Sequence, residues 1–241
     1  MWNREHKYIL PQYDRPYLTG QAERSLGRSD FVTDKEEYET MIFKKLTNVL
    51  QVIASNLTEN QVPYSLIGAL ALGLYGLPRY TSDIDLLTEG RSWSEISAMM
   101  ERLGYTCYQK IHSFAQFDSE SGVLGKIDFM FVNTQDGKDM IGRSLVVEDE
   151  LLGKHPVIQP TDYIILKLMA IANNPDRGPK DEADILEVLK LFKNHLIPKN
   201  FGSLNMDRIY LFADRFGQRM RLEKYVKNVF AVTNKPGSFG L

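Results

Sequence analysis

Residues 64–87, YSLIGALALGLYGLPRYTSDIDLL, constrain this chain more than any other stretch of its sequence. A short apolar run ends in a Gly-Ala turn at 68–69, and the segment closes on Asp83 and Asp85, separated by Ile84. In an extended strand alternate side chains share a face, so both carboxylates point the same way while Ile84 faces the core. Two neighbouring carboxylates repel each other unless a cation lies between them. Hard oxygen ligands in this arrangement suit Mg²⁺, which proteins hold through one or two carboxylates together with substrate phosphates. The segment therefore predicts a strand that binds a metal and a nucleoside triphosphate.

The composition is that of an ordinary globular chain. The chain has 241 residues, 43% of them hydrophobic and 25% charged, with a formal net charge of −2. These values allow a sizeable core and exclude a globally basic surface, so any contact with nucleic acid has to be a local patch. The single cysteine, Cys107, excludes an internal disulfide and a multi-cysteine zinc site and favours a reducing compartment. Because the N-terminal sequence lacks an apolar signal region and no run has membrane-spanning length, we expect a cytoplasmic protein without membrane contact.

The residue pattern divides the chain into three segments. Residues 1–33 carry prolines and glycines among arginines and tyrosines and are expected to form an N-terminal arm. Residues 34–155 mix helical and strand periodicity, and residues 156–241 carry helical periodicity alone. We therefore predict an α/β (α+β) fold, in which a mixed sheet flanked by helices is followed by a C-terminal helical domain. The expected strands are 64–67, 84–87, 105–109, 114–117 and 127–132, and the expected helices are 34–60, 70–75, 92–103, 162–172, 180–195, 203–216 and 218–232.

Two local signals complete this prediction. Thr161 precedes an apolar helical run and is the expected cap of the helix 162–172. Residues 135–137, Gln-Asp-Gly, have the composition of a turn.

The glycine turn complements the acid strand. Small residues at Gly68 and Ala69 let backbone amides approach a triphosphate closely, and the helix that follows presents its positive N-terminus to the anion. Nucleotidyl transfer needs little more from a protein than in-line positioning and cations that absorb charge on the phosphate oxygens.

These residues resemble the nucleotidyltransferases of the DNA polymerase beta superfamily. The signature of that family is a hydrophobic residue, Gly, then Gly or Ser, a spacer, and Asp-hydrophobic-Asp. Here Ile67-Gly68-Ala69 carries the first part and Asp83-Ile84-Asp85 the second. The resemblance implies Mg²⁺ or Mn²⁺ held by the two aspartates and an NTP as substrate. Ala69 stands where many active members have Ser or Gly, so a hydroxyl contact to phosphate is not expected there.

The family also has a third acid on a later strand, which serves as a metal ligand or as the base for the incoming hydroxyl. Asp128, in the sequence Lys-Ile-Asp-Phe, is the best candidate, because its strand alternation is right and its neighbours are strongly apolar. Asp118 and Asp136 are nearby competitors, but a hairpin-like stretch and a turn explain them structurally.

Two further segments resemble the stand-alone bacterial and archaeal nucleotidyltransferases related to the toxins of abortive-infection (type IV) toxin–antitoxin systems. One is GLPRYTS at 76–82, and the other pairs a lysine helix at 166–170 with a later helix that opens on Lys180 and Asp181. This resemblance covers about residues 60–195. It implies an acceptor such as an RNA end (tRNA) or a protein side chain, and a cognate antitoxin as partner, while related folds also modify small molecules.

The candidate phosphate-binding cations each have a structural alternative. Arg79 is expected either to steer a phosphate or to pair with Glu89 or another surface acid. Lys167 either reaches the triphosphate or covers apolar surface with its stem. Lys180 and Asp181 open a helix, where Asp181 suits the positive end of the dipole and is also a salt-bridge partner for Lys167.

The sequence thus predicts a Mg²⁺-dependent nucleotidyltransferase whose site lies between its two halves and that moves a nucleoside monophosphate from an NTP to a hydroxyl. The alternative is a catalytically weak or inactive nucleotide- or partner-binding module on the same fold, which Ala69 would allow. A third interpretation is an interaction protein that acts through its arm, 1–33, and the basic segment 215–227 of its C-terminal helices.

Overall fold

The computed structural model describes residues 35–119 and 125–231, and the predicted arm, 1–33, lies outside them. The helices in these ranges are α1 Lys35–Glu59, α2 Gly68–Leu74, α3 Trp93–Arg102, α4 Gln135–Gly142, α5 Pro160–Asn173, α6 Gly178–Lys193, α7 Met206–Arg215 and α8 Arg219–Phe230. The strands are β1 Tyr64–Leu66, β2 Asp83–Glu89, β3 Tyr105–Lys110, β4 Phe114–Ser119, β5 Lys126–Val132, β6 Leu145–Asp149 and β7 Gly153–Val157.

The described strands form one sheet in the order β3-β4-β5-β2-β1-β7-β6. β2 pairs with β5 and β1 with β7 in parallel, and the other pairs are antiparallel. The fold is therefore α/β with a mixed sheet and flanking helices, as the sequence predicts. The parallel β2–β5 pair matters most for the site, because it sets two acid-bearing strands side by side.

Strand alternation decides which face of β2, β5 and β4 enters the core. Ile84 of β2, Ile127 and Phe129 of β5 and Phe117 of β4 are fully buried. Trp93 of α3 packs on this face, with its ring centroid 6.0 Å from that of Phe117. The polar side chains of these strands therefore stand on the opposite face.

An aromatic contact joins the sheet region to the helices that follow. Tyr75, which caps α2, meets Tyr163 of α5 edge-on with ring centroids 5.8 Å apart, and meets Phe201 at 5.0 Å. The Tyr75 hydroxyl donates to the Ile158 carbonyl at 2.5 Å. Such edge-to-face pairs contribute about 0.5–1.5 kcal/mol each beyond the area they bury. They hold α5 against the end of α2 and hence close to β2.

The prediction of a turn at 135–137 is wrong, because these residues begin α4. The Thr134 side chain accepts a hydrogen bond from the Gly137 N–H at 3.3 Å and caps the helix. A Cβ at Gly137 would collide with Val132, so the glycine permits close packing rather than a turn. A glycine in a turn and a glycine required by close packing look the same in the sequence.

The sequence pattern does not predict β6 and β7. β6 lies at the edge of the sheet with Val146 61% exposed, and β7 carries Pro156, which demotes a run as a strand candidate. The sheet continues to Val157, across the predicted division at 155/156, and the division into domains stays a prediction.

The prediction that Thr161 caps α5 is also wrong. Pro160 is the first residue of the helix and Gln159 its N-cap. The Thr161 hydroxyl instead accepts a hydrogen bond from the Asn205 N–H at 3.0 Å and connects α5 to the start of α7.

None of the described helices combines the length and the apolarity required to cross a membrane.

Candidate active site

β2 carries Asp83 and Asp85 on one face, with Ile84 buried on the other. β5 runs parallel to β2, and the register makes Asp128 the partner of Asp85 and Lys126 the partner of Asp83. Neighbouring strands lie roughly 5 Å apart, so the carboxyl groups of Asp85 and Asp128 are adjacent on the same face. The structure thus brings together the three acids that the sequence analysis selects.

The surroundings of Asp85 disfavour its negative charge. Burial, and then the negative charge of Asp128, raise the pKa of Asp85 to about 6, and Asp83 acts in the same direction. Lys167 and Lys180 act in the opposite direction. Neighbouring carboxylates that share a site cannot all ionise freely without a cation. The acids therefore form a site whose charge favours a cation.

Gly68 packs directly on the Asp85 side chain. The Ile67 N–H donates to the Asp85 carbonyl at 3.1 Å, and the chain then turns at Gly68 with φ of +63°. A Cβ at Gly68 would overlap the Asp85 carboxylate, so glycine is required both by the backbone conformation and by this contact. Ala69 is buried, and its N–H lies in the first turn of α2, where helical N–H groups have no intrahelical acceptor.

Gln116 of β4 orients Asp128. The two residues are register partners, and the Gln116 side-chain amide donates to Asp128 Oδ2 at 2.9 Å. Of the competing acids, Asp118 lies two residues further along β4, and Asp136 of α4 forms an exposed ion pair with Arg215 at 2.8 Å. Asp128 is thus the candidate that adjoins Asp85.

Lys167 of α5 bridges two buried acids of α6. Its Nζ lies 2.8 Å from Asp181 and 2.6 Å from Asp184, whose side chains are 0% and 2% exposed. Arg79, in the loop before β2, pairs with Asp184 at 2.5 Å, and the Tyr163 hydroxyl donates to it at 3.3 Å. Burial alone would raise the pKa of Asp184, but Lys167 and Arg79 hold it below its usual range. This charge network joins α5 and α6 to the loop that leads into the acid strand.

The predicted Lys167–Asp181 ion pair is therefore present. The acid partner of Arg79 is Asp184, whereas Glu89 pairs with Arg91 at 2.7 Å. The sequence analysis did not select Asp184. Asp181 and Asp184 share a face of α6 with fully buried apolar residues. Two acids on an otherwise apolar helix face indicate buried ion pairs, and this pattern could have identified Asp184 from the sequence.

Lys180 contributes from the first turn of α6. It is exposed, whereas Asp181 beside it is buried. Since Lys180 and Lys167 both lower the pKa of Asp85, both lie within electrostatic reach of the acids. α5 and α6 together bring positive charge towards β2.

The acids fit a Mg²⁺ site that substrate phosphates complete. Within residues 35–119 and 125–231, no group of three or more His, Cys, Asp or Glu side chains forms a ligand set of its own for a metal. Mg²⁺ is usually held by one or two carboxylates, with phosphate oxygens and water in its other positions. The available donors are hard oxygens, and the repulsion between Asp85 and Asp128 is of the kind that a cation relieves.

No family model and no curated protein matches this chain. Solved structures with a similar fold include the antibiotic-resistance factor ANT(2'')-Ia, which is 15% identical over 76% of this chain and 96% of its own, with a TM-score of 0.49. An antigenic nucleotidyltransferase-like protein from Paracoccidioides brasiliensis is 15% identical over 77% of this chain and 96% of its own, with a TM-score of 0.46. The lincosamide antibiotic adenylyltransferase LnuA is 17% identical over 49% of this chain and 83% of its own, with a TM-score of 0.40. Likenesses of this extent do not establish a function, so we infer function from the site residues.

Proposed function

We propose that the chain is a Mg²⁺-dependent nucleotidyltransferase that moves a nucleoside monophosphate from an NTP to a hydroxyl acceptor. The observation that carries this proposal is the register pairing of Asp85 with Asp128, with Asp83 on the same face. Carboxylates set side by side on one face of a sheet cost the fold free energy unless a cation and its substrate use them.

The triphosphate has a binding surface on the β1 side of the acids. Gly68 lets the backbone lie against Asp85, and the first turn of α2 offers N–H groups there. Lys167 and Lys180 supply positive charge from α5 and α6. Arg79, whose guanidinium pairs with Asp184, adds positive charge next to the acid strand. We infer that these residues orient the triphosphate.

Asp83 and Asp85, with Asp128 beside them, would hold the metal. When bound, Mg²⁺ would neutralise the phosphate charge that develops during transfer. Gln116 holds one oxygen of Asp128 by a hydrogen bond and so restrains the orientation of this carboxylate.

The chemical step forms a bond between the acceptor hydroxyl oxygen and the α-phosphorus of the NTP. The bond between that phosphorus and the oxygen bridging to the β-phosphate breaks, and pyrophosphate leaves with the electron pair. The hydroxyl proton passes to Asp128, directly or through water. No oxidant or reductant is required.

An incorporation assay tests the proposal. Purified protein is given each α-labelled NTP with Mg²⁺ or Mn²⁺, with total tRNA and the protein itself as acceptors. The matched variants are Asp85→Asn, at the site, and Asp136→Asn, an exposed acid of α4. Label transferred by the wild type and by Asp136→Asn but not by Asp85→Asn supports the proposal. Metal-dependent NTP binding without transfer would instead favour the inactive binding module.

From the sequence motifs we also propose a physiological role as a toxin. A toxin of this class would act in the cytoplasm on RNA or protein and would be neutralised by an antitoxin. Growth arrest upon expression of the wild type, but not of Asp85→Asn, is the outcome expected for such a role.

A further inference from the structure

A β-bulge places an exposed tyrosine on the acid-bearing side of the sheet. Along β3 and β4 the register pairs Cys107 with Phe117 and then Gln109 with Gln116, so Tyr108 is the extra residue of β3. Bulges of this kind redirect a side chain and occur often next to active sites. Tyr108 is 49% exposed.

Three observations locate the Tyr108 ring. Lys126 Nζ lies 5.7 Å from its centroid, and Lys126 is the register partner of Asp83 on β2 and of Asp118 on β4. Partial burial, and then the negative charges of Asp128, Asp118 and Asp83, raise the pKa of Tyr108. The ring thus stands on the same face of the sheet as the acids.

Side chains on the acid-bearing face of the sheet are accessible to solvent, whereas those on the opposite face are buried. On the acid side, Asp128, Gln116 and Lys126 all remain partly or wholly exposed, whereas Ile127 and Phe117, their neighbours on the other face, are fully buried. We call the acid side of β5, β4 and β3 the open face. Its described polar members near the acids are Tyr108, Gln109, Gln116, Asp118 and Lys126.

In-line transfer requires the entering hydroxyl and the leaving pyrophosphate to lie on opposite sides of the α-phosphorus. Gly68 lies at the end of β1, on one side of β2, and the proposed triphosphate surface is on that side. β5, β4 and β3 continue the sheet on the other side of β2. The hydroxyl therefore has to enter over the open face.

We propose that the open face is the acceptor subsite, an inference that rests on the proposed function. Tyr108 and Lys126 bind the unpaired 3′ end of a single-stranded RNA there. Unpaired nucleotides are bound by aromatic rings that stack on bases and by basic side chains that contact phosphates, and Tyr108 and Lys126 supply one of each. Gln116 and Gln109 add amide groups that hydrogen-bond to base edges or ribose hydroxyls.

The test measures transfer kinetics with single-stranded RNA oligonucleotides that carry a free 3′ hydroxyl, in wild type, Tyr108→Ala, Tyr108→Phe and Lys126→Ala. Leu211→Ala serves as control, because Leu211 of α7 is 50% exposed and is distant from the acids in sequence. Thermal denaturation of each variant verifies that it is folded. Each KM is measured separately for the RNA and for the NTP.

We expect Tyr108→Ala to raise the KM for RNA about tenfold or more while the KM for NTP stays unchanged. Tyr108→Phe keeps the ring and should stay near wild type, and Lys126→Ala should raise the KM for RNA and weaken its salt dependence. An effect of Tyr108→Ala on the KM for NTP, or no effect on either KM, would overturn the subsite. Transfer by the wild type to a protein or a small acceptor but to no RNA would also overturn it. Absence of transfer to every acceptor would instead contradict the proposed function itself.

Discussion

Asp85 of β2 and Asp128 of β5 are register partners across a parallel strand pair, so two carboxyl groups stand side by side on one face of the sheet. The negative charge of Asp128 adds to burial in raising the pKa of Asp85 to about 6. Repulsion between the two carboxyl groups lowers the stability of the fold, as is common at functional sites.

Replacing Asp85 by Asn should therefore stabilise the metal-free protein while abolishing transfer. The raised pKa means that the folded state favours the protonated form, so the penalty is absent below the unfolded pKa near 4 and is complete once pH rises above 6. At pH 7 we expect Asp85→Asn to raise the free energy of unfolding by about 1–2 kcal/mol, after allowance for partial solvent screening of the carboxylate. Denaturant unfolding at pH 7 in EDTA measures this. If the variant is no more stable than the wild type, ionised Asp85 does not destabilise the fold.

Gly68→Ala should remove activity through a collision with the Asp85 carboxylate. The variant also places a Cβ at φ of +63°, which costs about 1 kcal/mol by itself. Gly104→Ala is the matched control, because Gly104 has φ of +79° but open space around its Cβ position. We expect both variants to lose stability and only Gly68→Ala to lose kcat/KM, by about 100-fold or more. Equal activity of the two would mean that the contact with Asp85 is unimportant.

Lys167 should have separable effects on stability and on nucleotide affinity. Lys167→Met leaves the buried Asp181 and Asp184 with less compensation and should destabilise the fold by about 3 kcal/mol. Adding Asp181→Asn removes one of those charges and should restore part of the stability. If Lys167 binds phosphate, the NTP dissociation constant stays raised about tenfold or more in both variants. A double variant that recovers nucleotide affinity as well as stability would assign Lys167 a purely structural role.

The three acids considered for the third position should respond differently to amide substitution. Asp128→Asn should lower the transfer rate by about 1000-fold, because Asp128 adjoins Asp85 and is the residue proposed to receive the acceptor proton. Asp118→Asn should act mainly on the acceptor KM, and Asp136→Asn should leave the kinetics unchanged, because Asp136 pairs with Arg215 on the surface. Steady-state kinetics of the three variants measure this order. A large loss of rate in Asp118→Asn with little in Asp128→Asn would overturn the assignment.

The sequence predicts the acid strand and its partners well because their signals are local. Alternation around Ile84 sets the faces of β2, and the apolar neighbours of Asp128 mark its strand. Whether β5 lies beside β2, with Asp128 level with Asp85, depends on sheet topology, which no local pattern encodes.

Other features depend on contacts between distant residues. Gly137 resembles a turn residue, but the close approach of Val132 explains it. The bulge at Tyr108 arises from the pairing of β3 with β4, and the pairing of Arg79 with Asp184 links residues far apart in the chain. Such tertiary contacts override or hide local signals, so the sequence predicts the acids of the site better than its surroundings.

The most direct test of nucleotidyl transfer compares ATP labelled at the α-phosphate with ATP labelled at the γ-phosphate, together with the three other NTPs labelled in the same two ways. Acceptor RNA and the protein are both recovered after incubation with Mg²⁺, and released pyrophosphate is quantified in the same reaction. The account predicts label from the α position alone, with one pyrophosphate released for each nucleotide incorporated, and neither signal in Asp85→Asn. Label from the γ position, or label that is equal in wild type and Asp85→Asn, would contradict it.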